Sequence, residues 1–97
     1  MSLKADWVAA RRRFLLALLL ECGGTANESV LYKAAQRGGF ARDTRDEIRA
    51  DLDHLRAQGC ITEEWADTVR VATLTERGED ASEGRIGVPG VEPGIGR

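Results

Sequence analysis

Two arginines one helical turn apart, Arg45 and Arg49, are the residues whose type and spacing point most directly to a chemistry. A guanidinium group presents a planar fork of N–H donors that matches the two hydrogen-bond acceptors on the major-groove edge of guanine. Residues four positions apart on a helix lie on the same side, so both forks can reach one surface. The pair therefore predicts contact with the bases of double-stranded DNA.

Other positive or polar residues near this pair are suited to phosphate contacts, which orient a protein on the duplex. These candidates are Lys33, Arg37, Arg42, Thr44 and Arg70. The net charge of the chain is −2, so DNA binding would depend on a local patch and not on a favourable overall field. The alternative is that Arg45 and Arg49 form ordinary surface ion pairs with acidic neighbours, which would contribute little to stability or function.

The remaining reactive side chains do not form a catalytic or metal-binding constellation. The chain has one histidine, His54, and two cysteines, Cys22 and Cys60, without CxxC spacing. Metal sites need several ligands that converge, so we expect no metal, no cofactor and no enzymatic activity, and two reduced thiols. Asp51 and Asp53 are two apart on a helix and do not converge, so we expect both to be solvated. The run 11–13, three arginines, is expected to form a solvated face, with phosphate contact as the alternative.

The helix that must position the arginine pair is expected over about residues 44–58. Thr44 can cap its N-terminus, and Glu47 three residues later completes the capping-box spacing. A stripe of Ile48, Leu52 and Leu55 gives this helix one buried face. Gly59 follows, where a left-handed residue ends many helices.

The rest of the chain predicts an α+β domain over residues 1–83, mainly helical, followed by a Gly/Pro-rich tail over 84–97. We expect helices over 7–21 capped by Asp6, over 28–37 capped by Asn27, and over 76–83 capped by Thr75. Residues 61–64 and 68–74 predict a small C-terminal β-hairpin, and residues 25–26 an extended link. The tail is expected to lack a core of its own.

The first helix is apolar over most of its circumference, which favours burial on more than one side. Packing inside one chain would cover part of that surface, and the remainder predicts a symmetric homodimer. The expected interface residues are Trp7, Phe14, Leu16 and Leu20. The longest apolar run, 14–20, is too short to span a bilayer, and no secretory signal is visible, so we expect a cytoplasmic protein without membrane contact.

The order helix, link, helix, helix, hairpin, helix resembles the winged helix-turn-helix superfamily, with the hairpin as the wing. More narrowly, residues 27–31, 44–52, 58–59, 71–75, 77–78, 83–85 and 88–90 resemble a small protein of Mu-like prophages whose members are labelled regulators similar to the ArsR family. The resemblance implies a DNA-binding transcriptional regulator with residues 44–58 as the recognition helix. ArsR-type metal sensors carry paired cysteines on that helix, and this helix has none, which argues against metal sensing.

A second function from a different class stays open. The wing is acidic, and a wing of that sign is repelled by phosphates. Trp65 at its tip is better suited to a protein contact. The alternative is therefore a winged-helix interaction module without DNA binding, which would use the apolar first helix, Trp65 and the tail to join a phage assembly.

Overall fold

Four helices and a three-stranded antiparallel sheet make up the described part of the chain, residues 2–93, in the computed structural model. The predicted α+β class is confirmed. In chain order the elements are α1 (Leu3–Glu21), β1 (Thr25–Asn27), α2 (Glu28–Arg37), α3 (Arg45–Ala57), β2 (Ile61–Ala66), β3 (Val69–Leu74) and α4 (Glu76–Ser82).

Side-chain caps define the starts of the helices. Thr44 and Glu47 form the complete capping box at the start of α3, and Asn27 and Thr75 cap α2 and α4 as predicted. α1 begins earlier than expected, because the hydroxyl of Ser2 accepts from the amide of Ala5, so the predicted cap at Asp6 is wrong. Each cap satisfies an amide that the first helical turn leaves unpaired.

The sheet has the strand order β1-β3-β2. β1, expected only as an extended link, pairs with β3 from Thr25 opposite Thr73 to Asn27 opposite Val71. β2 and β3 form the predicted hairpin, and its turn contains Asp67 in a left-handed conformation with φ 60°. The hairpin is not C-terminal, because α4 and a further packed segment follow it.

The core lies between the helices and the inner face of the sheet. α1 contributes Leu15, Leu16 and Leu19, and the predicted stripe of α3 is fully buried beside them. Leu16 is 0% exposed, so its predicted place at a dimer interface is wrong. Contacts of α1 with α2, α3, α4 and the sheet explain most of its apolar circumference without a second chain.

The segment after residue 83 packs back on the helices. Val88 and Val91 join the core, and the carbonyl oxygen of Gly90 accepts from Arg12 Nη1 at 3.1 Å. His54 Nε2 lies 2.7 Å from the carbonyl oxygen of Pro89. Residues 84–93, expected to form a tail without a core of its own, thus pack against the core of the domain, and residues 94–97 lie outside the described part of the chain.

Candidate nucleic-acid interface

The exposed face of α3 carries the two arginines that the sequence singled out. The buried stripe on the opposite side fixes the rotation of the helix, so Arg45 and Arg49 point outward with side chains 43% and 50% exposed. The same face also presents three charged residues and a small one: Asp46, Ala50, Asp53 and Arg56. It is therefore a mixed-charge surface and not a purely basic one.

One buried carboxylate holds both arginines. Glu28, the first residue of α2, is 4% exposed, and its Oε2 accepts from the Nε atoms of Arg45 and Arg49, each at 2.9 Å. The other oxygen, Oε1, accepts from Arg49 Nε at 3.0 Å. Burial alone would raise the pKa of Glu28, but the hydrogen bonds from Arg45 and Arg49 outweigh it and lower this pKa below its ordinary value. Glu28 is therefore charged at neutral pH and acts as an anchor for both side chains.

Because Glu28 binds Arg45 and Arg49 through their Nε atoms, the terminal amino groups of both arginines point away from it. A guanidinium group bound through Nε keeps its two terminal amino groups available on the outer side. Within residues 2–93 the terminal groups of Arg45 form no hydrogen bond, and those of Arg49 form a long one, 3.4 Å from Nη1 to Asp46 Oδ1. The guanidinium of Arg45 also lies 5.6 Å from the centre of the Tyr32 ring, a cation–π contact that further restricts it.

Arg70 on β3 lies behind this face and is only 8% exposed. It pairs with Glu63 and Asp53, and its Nη1 is 3.9 Å from Glu28 Oε1. Burial alone would lower the pKa of Arg70, but hydrogen bonds to Glu63 and Asp53 raise it. Contrary to the prediction, Arg70 is not accessible to a phosphate, and it joins the hairpin to α2 and α3.

The other predicted phosphate contacts fall into two places. Arg42 is exposed in the turn before α3, and the hydroxyl of Thr44, two residues later, accepts a hydrogen bond from the amide of Glu47. Lys33 and Arg37 line a separate groove between α1 and α2. The seven predicted residues therefore do not form one continuous patch.

A cleft of about 210 Å³ lies between α3 and the hairpin. Its walls include Glu28 and both arginines on one side, and Trp65 and Val69 on the other. Trp65 is 66% exposed, so the large apolar side chain of the hairpin tip does not fold back on the core.

A second arginine cluster, which the sequence reasoning missed, fixes α3 on α1. Arg11 is buried, donates from Nη2 to Asp51 Oδ1 at 3.1 Å and also binds Asp51 through Nε. Its Nη1 donates to Asp43 Oδ2 at 2.9 Å, and Arg12 Nε donates to Asp51 Oδ1 at 3.1 Å. Burial alone would lower the pKa of Arg11, but the hydrogen bonds to Asp51 and Asp43 raise it.

The predictions of a solvated arginine run and a solvated Asp51 are therefore wrong for Arg11, Arg12 and Asp51. A signal was present in the spacing: Arg11 lies four residues before the core residue Leu15, and Asp51 lies between Ile48 and Leu55. A charged residue at a core position in each of two helices indicates that the two pair with each other.

The predicted dimer residues on α1 differ in their availability. Trp7 donates from Nε1 to Asp43 at 2.8 Å, and the rings of Trp7 and Phe14 lie 5.1 and 5.4 Å from that of Phe40. Leu20 is 37% exposed near the end of the helix. Of the four predicted residues, Trp7 and Leu20 are exposed and Phe14 is partly exposed in the single chain.

Within the described residues, no cluster of three or more His, Cys, Asp or Glu side chains has the geometry to hold a metal ion. Both cysteines are free thiols, and burial raises the pKa of Cys60. No helix between residues 2 and 93 is long and apolar enough to cross a membrane.

These features define a small α+β domain whose third helix presents anchored arginines beside a β-hairpin. Over 82 residues the chain is 39% identical to the uncharacterized protein gp26 of Escherichia phage Mu, a match that covers 84% of each protein. The chain belongs to the family of this phage Mu protein, which confirms the predicted relationship to Mu-like phages. No family model matches the chain, and no solved structure matches it significantly.

Proposed function

We propose that this protein is a winged helix-turn-helix DNA-binding regulator of a Mu-like phage, with α3 as the recognition helix and the β2–β3 hairpin as the wing. The order of the elements supports the proposal, since α2 and α3 follow one another across a short turn and the hairpin comes directly after α3. In such domains the recognition helix enters the major groove, and flanking residues contact phosphates. Its arrangement is similar to that of ArsR-type regulators, although α3 carries no cysteine for metal sensing.

The observation that carries the proposal is the anchoring of Arg45 and Arg49 by Glu28. An arginine held through Nε is already oriented, so it loses less conformational entropy when it binds a guanine edge. Both terminal forks lie near the N-terminal end of α3, the part of a recognition helix that approaches bases. Each bidentate arginine–guanine contact contributes about 1–3 kcal/mol of discrimination against other bases.

The acidic residues on the same face shape the expected binding. Asp46 and Asp53 repel phosphates, so binding to DNA without the target sequence is weak and relies on few cationic contacts, including Arg42. Affinity for the target then depends on base contacts to a larger extent than in strongly basic domains. The dependence of affinity on salt is accordingly shallow, because few counterions are released.

A homodimer through α1 is part of the proposal. Leu20 and the exposed part of Trp7 supply its apolar contacts, and two-fold symmetry presents two copies of α3 to a palindromic site. The protein acts on phage DNA in the host cytoplasm. Sedimentation at micromolar concentration tests the dimer, and a monomer under these conditions refutes this element.

The experiment is selection of binding sites from random fragments of the surrounding phage genome. We expect a palindromic guanine-containing site to be enriched by the wild-type protein. Arg45→Ala combined with Arg49→Ala removes that enrichment, whereas Arg85→Ala, an exposed arginine on the segment after α4, leaves it intact. Equal enrichment by the double variant would overturn the assignment of the interface, and no enrichment by the folded wild-type protein would overturn DNA binding.

A protein-interaction module is the second candidate, and the cleft beside the hairpin favours it. Trp65 and Val69 are exposed together, an arrangement typical of protein-contact surfaces. Trp65→Ala separates the two functions. If the protein binds DNA through α3, this variant leaves the selection of DNA sites unchanged. If the hairpin tip contacts a partner protein, the variant removes binding of that partner.

A further inference from the structure

An apolar groove runs between α1 and α2, away from the cleft at α3. It has a volume of about 440 Å³, and its floor is formed by Phe14, Leu18, Val30 and Ala34. Gly38 closes one end, and a Cβ there would lie 2.3 Å from Cζ of Phe14. The lack of a side chain at this position lets the phenylalanine ring sit against the backbone and keeps the groove open.

The groove is not covered by the described part of the chain. Val30, which projects into it from α2, is 45% exposed. The segment 84–93 packs elsewhere, through contacts with Ala9, Arg12 and His54. An exposed apolar side chain on an amphipathic helix that faces neither the core nor a neighbouring segment is suited to an intermolecular contact.

The rim of the groove is positive. Lys33 and Arg37 are four residues apart on α2, both are exposed, and neither forms an ion pair with a carboxylate among residues 2–93. This differs from α3, where Arg45, Arg49 and Arg56 all have carboxylate partners. The positive charge of the groove is thus available to a ligand.

We propose that this groove binds a short amphipathic helix of a partner protein, with apolar residues on its inner side and Asp or Glu along its flank. An apolar floor with spaced anchor positions is how helix-in-groove recognition works, and the two cations favour an acidic helix over a neutral or basic one. A second copy of this chain fits poorly, because two-fold symmetry about the groove would bring the unpaired cations of both copies together. This surface is distinct from the α3 interface and does not depend on DNA binding.

The experiment is a display library of overlapping peptides that tile the proteins of the surrounding phage, selected against the intact protein. We expect enriched peptides to share apolar residues at helical spacing with acidic residues beside them. Lys33→Glu combined with Arg37→Glu weakens their binding roughly tenfold or more, through repulsion of the acidic flank. Val30→Asp weakens it by at least as much, because it places a charge on the apolar floor.

Lys4→Glu is the matched control, since it reverses an exposed lysine of α1 outside the groove and leaves peptide binding unchanged. Circular dichroism establishes that each variant is folded. Failure to enrich acidic amphipathic peptides, or equal binding by the Lys33→Glu/Arg37→Glu variant, overturns the proposal. Loss of DNA binding in that variant, without any peptide enriched, would overturn it as well and assign the two cations to phosphate contacts.

Discussion

The two arginine clusters of this protein contain the same kind of ion pair, arginine with carboxylate, but their arginines differ in exposure to solvent. At the α1–α3 contact, Arg11 is 2% exposed and its partner Asp51 is 0% exposed. On the outer face of α3, Glu28 is equally buried, but the two arginines that it binds are about half exposed. In the first cluster both partners are buried. In the second the carboxylate is buried, and the guanidinium groups that bind it reach solvent.

The difference separates a structural role from a candidate binding role. In the Arg11 cluster, Nε and both terminal amino groups have carboxylate partners and the side chain is buried, so the guanidinium has no open side for a ligand. In the Glu28 cluster the carboxylate uses the Nε atoms and leaves terminal donors in solvent. The ion pairs of the Arg11 cluster position α3, whereas those of the Glu28 cluster leave exposed donors on α3 that can serve the proposed recognition of DNA.

The largest effect is expected from Asp51→Ala. The change leaves Arg11 buried without its main partner, and breaking one side of a buried pair costs about 3–5 kcal/mol. Urea denaturation followed by circular dichroism measures the loss. Asp46→Ala, an exposed aspartate on the same helix, is the control and changes stability by less than about 0.5 kcal/mol. Equal stability of the two variants would show that the buried Arg11–Asp51 pair does not hold the fold together.

Glu28→Gln is expected to have an intermediate effect. The amide keeps one acceptor oxygen but loses the charge, so two arginines and the nearby Arg70 face a neutral group, at a cost of about 1–3 kcal/mol. Affinity for the selected DNA site also falls, because Arg45 and Arg49 lose their fixed orientation. Glu28→Asp partly restores DNA affinity if orientation is the cause. Full affinity in Glu28→Gln would show that the anchor is not needed for recognition.

Arg49→Ala is expected to change stability by less than about 1 kcal/mol, since its side chain is half exposed and Arg45 still pairs with Glu28. Site-specific DNA affinity should nevertheless fall by about 1–3 kcal/mol, the contribution of one bidentate guanine contact. Thermal unfolding and a binding titration on the same samples measure both quantities. A large loss of stability would place this arginine with the structural cluster instead.

The smallest expected effect is the contribution of Glu28 to the pH dependence of stability. Because the pKa of Glu28 is lower in the folded protein than its ordinary value of 4.5, the folded state favours the charged form. This stability is present above pH 4.5 and is lost as the pH falls through the lower pKa of the folded protein. Urea midpoints of the wild type should therefore fall more steeply below pH 4.5 than those of Glu28→Gln. Parallel curves would show that Glu28 does not contribute to acid sensitivity.

Local features were predictable because they depend on neighbours in the chain. The caps at Asn27, Thr44 and Thr75 satisfy amides within one turn, and their recognition needs no knowledge of the rest of the fold. The buried stripe of α3 follows from helical periodicity in the same way. The outward direction of Arg45 and Arg49 is a consequence of that stripe.

Contacts between distant residues were only partly predictable from the pattern. Arg11 and Asp51 are separated by 40 positions, and although each stands at a core position of its helix, only the fold shows that they bind each other. The burial of Arg70 depends on how the hairpin packs against α3. The same holds for residues 84–93, whose glycines and prolines are typical of an unpacked tail although Val88 and Val91 complete the core.

The sequence by itself determined the four helices, the starts of α2, α3 and α4, the hairpin and the identity of the outward-facing arginines, because hydrogen bonds within one turn and apolar periodicity are local properties. Only the tertiary structure decided which charges are closed into pairs and which keep free donors. The physical reason is that an ion pair needs a particular distance and exclusion from water, and both are set by the packing of elements far apart in the chain. Glu28 illustrates this, since its favourable position in the first turn of α2 is a local property, while its binding to two arginines of α3 requires the fold.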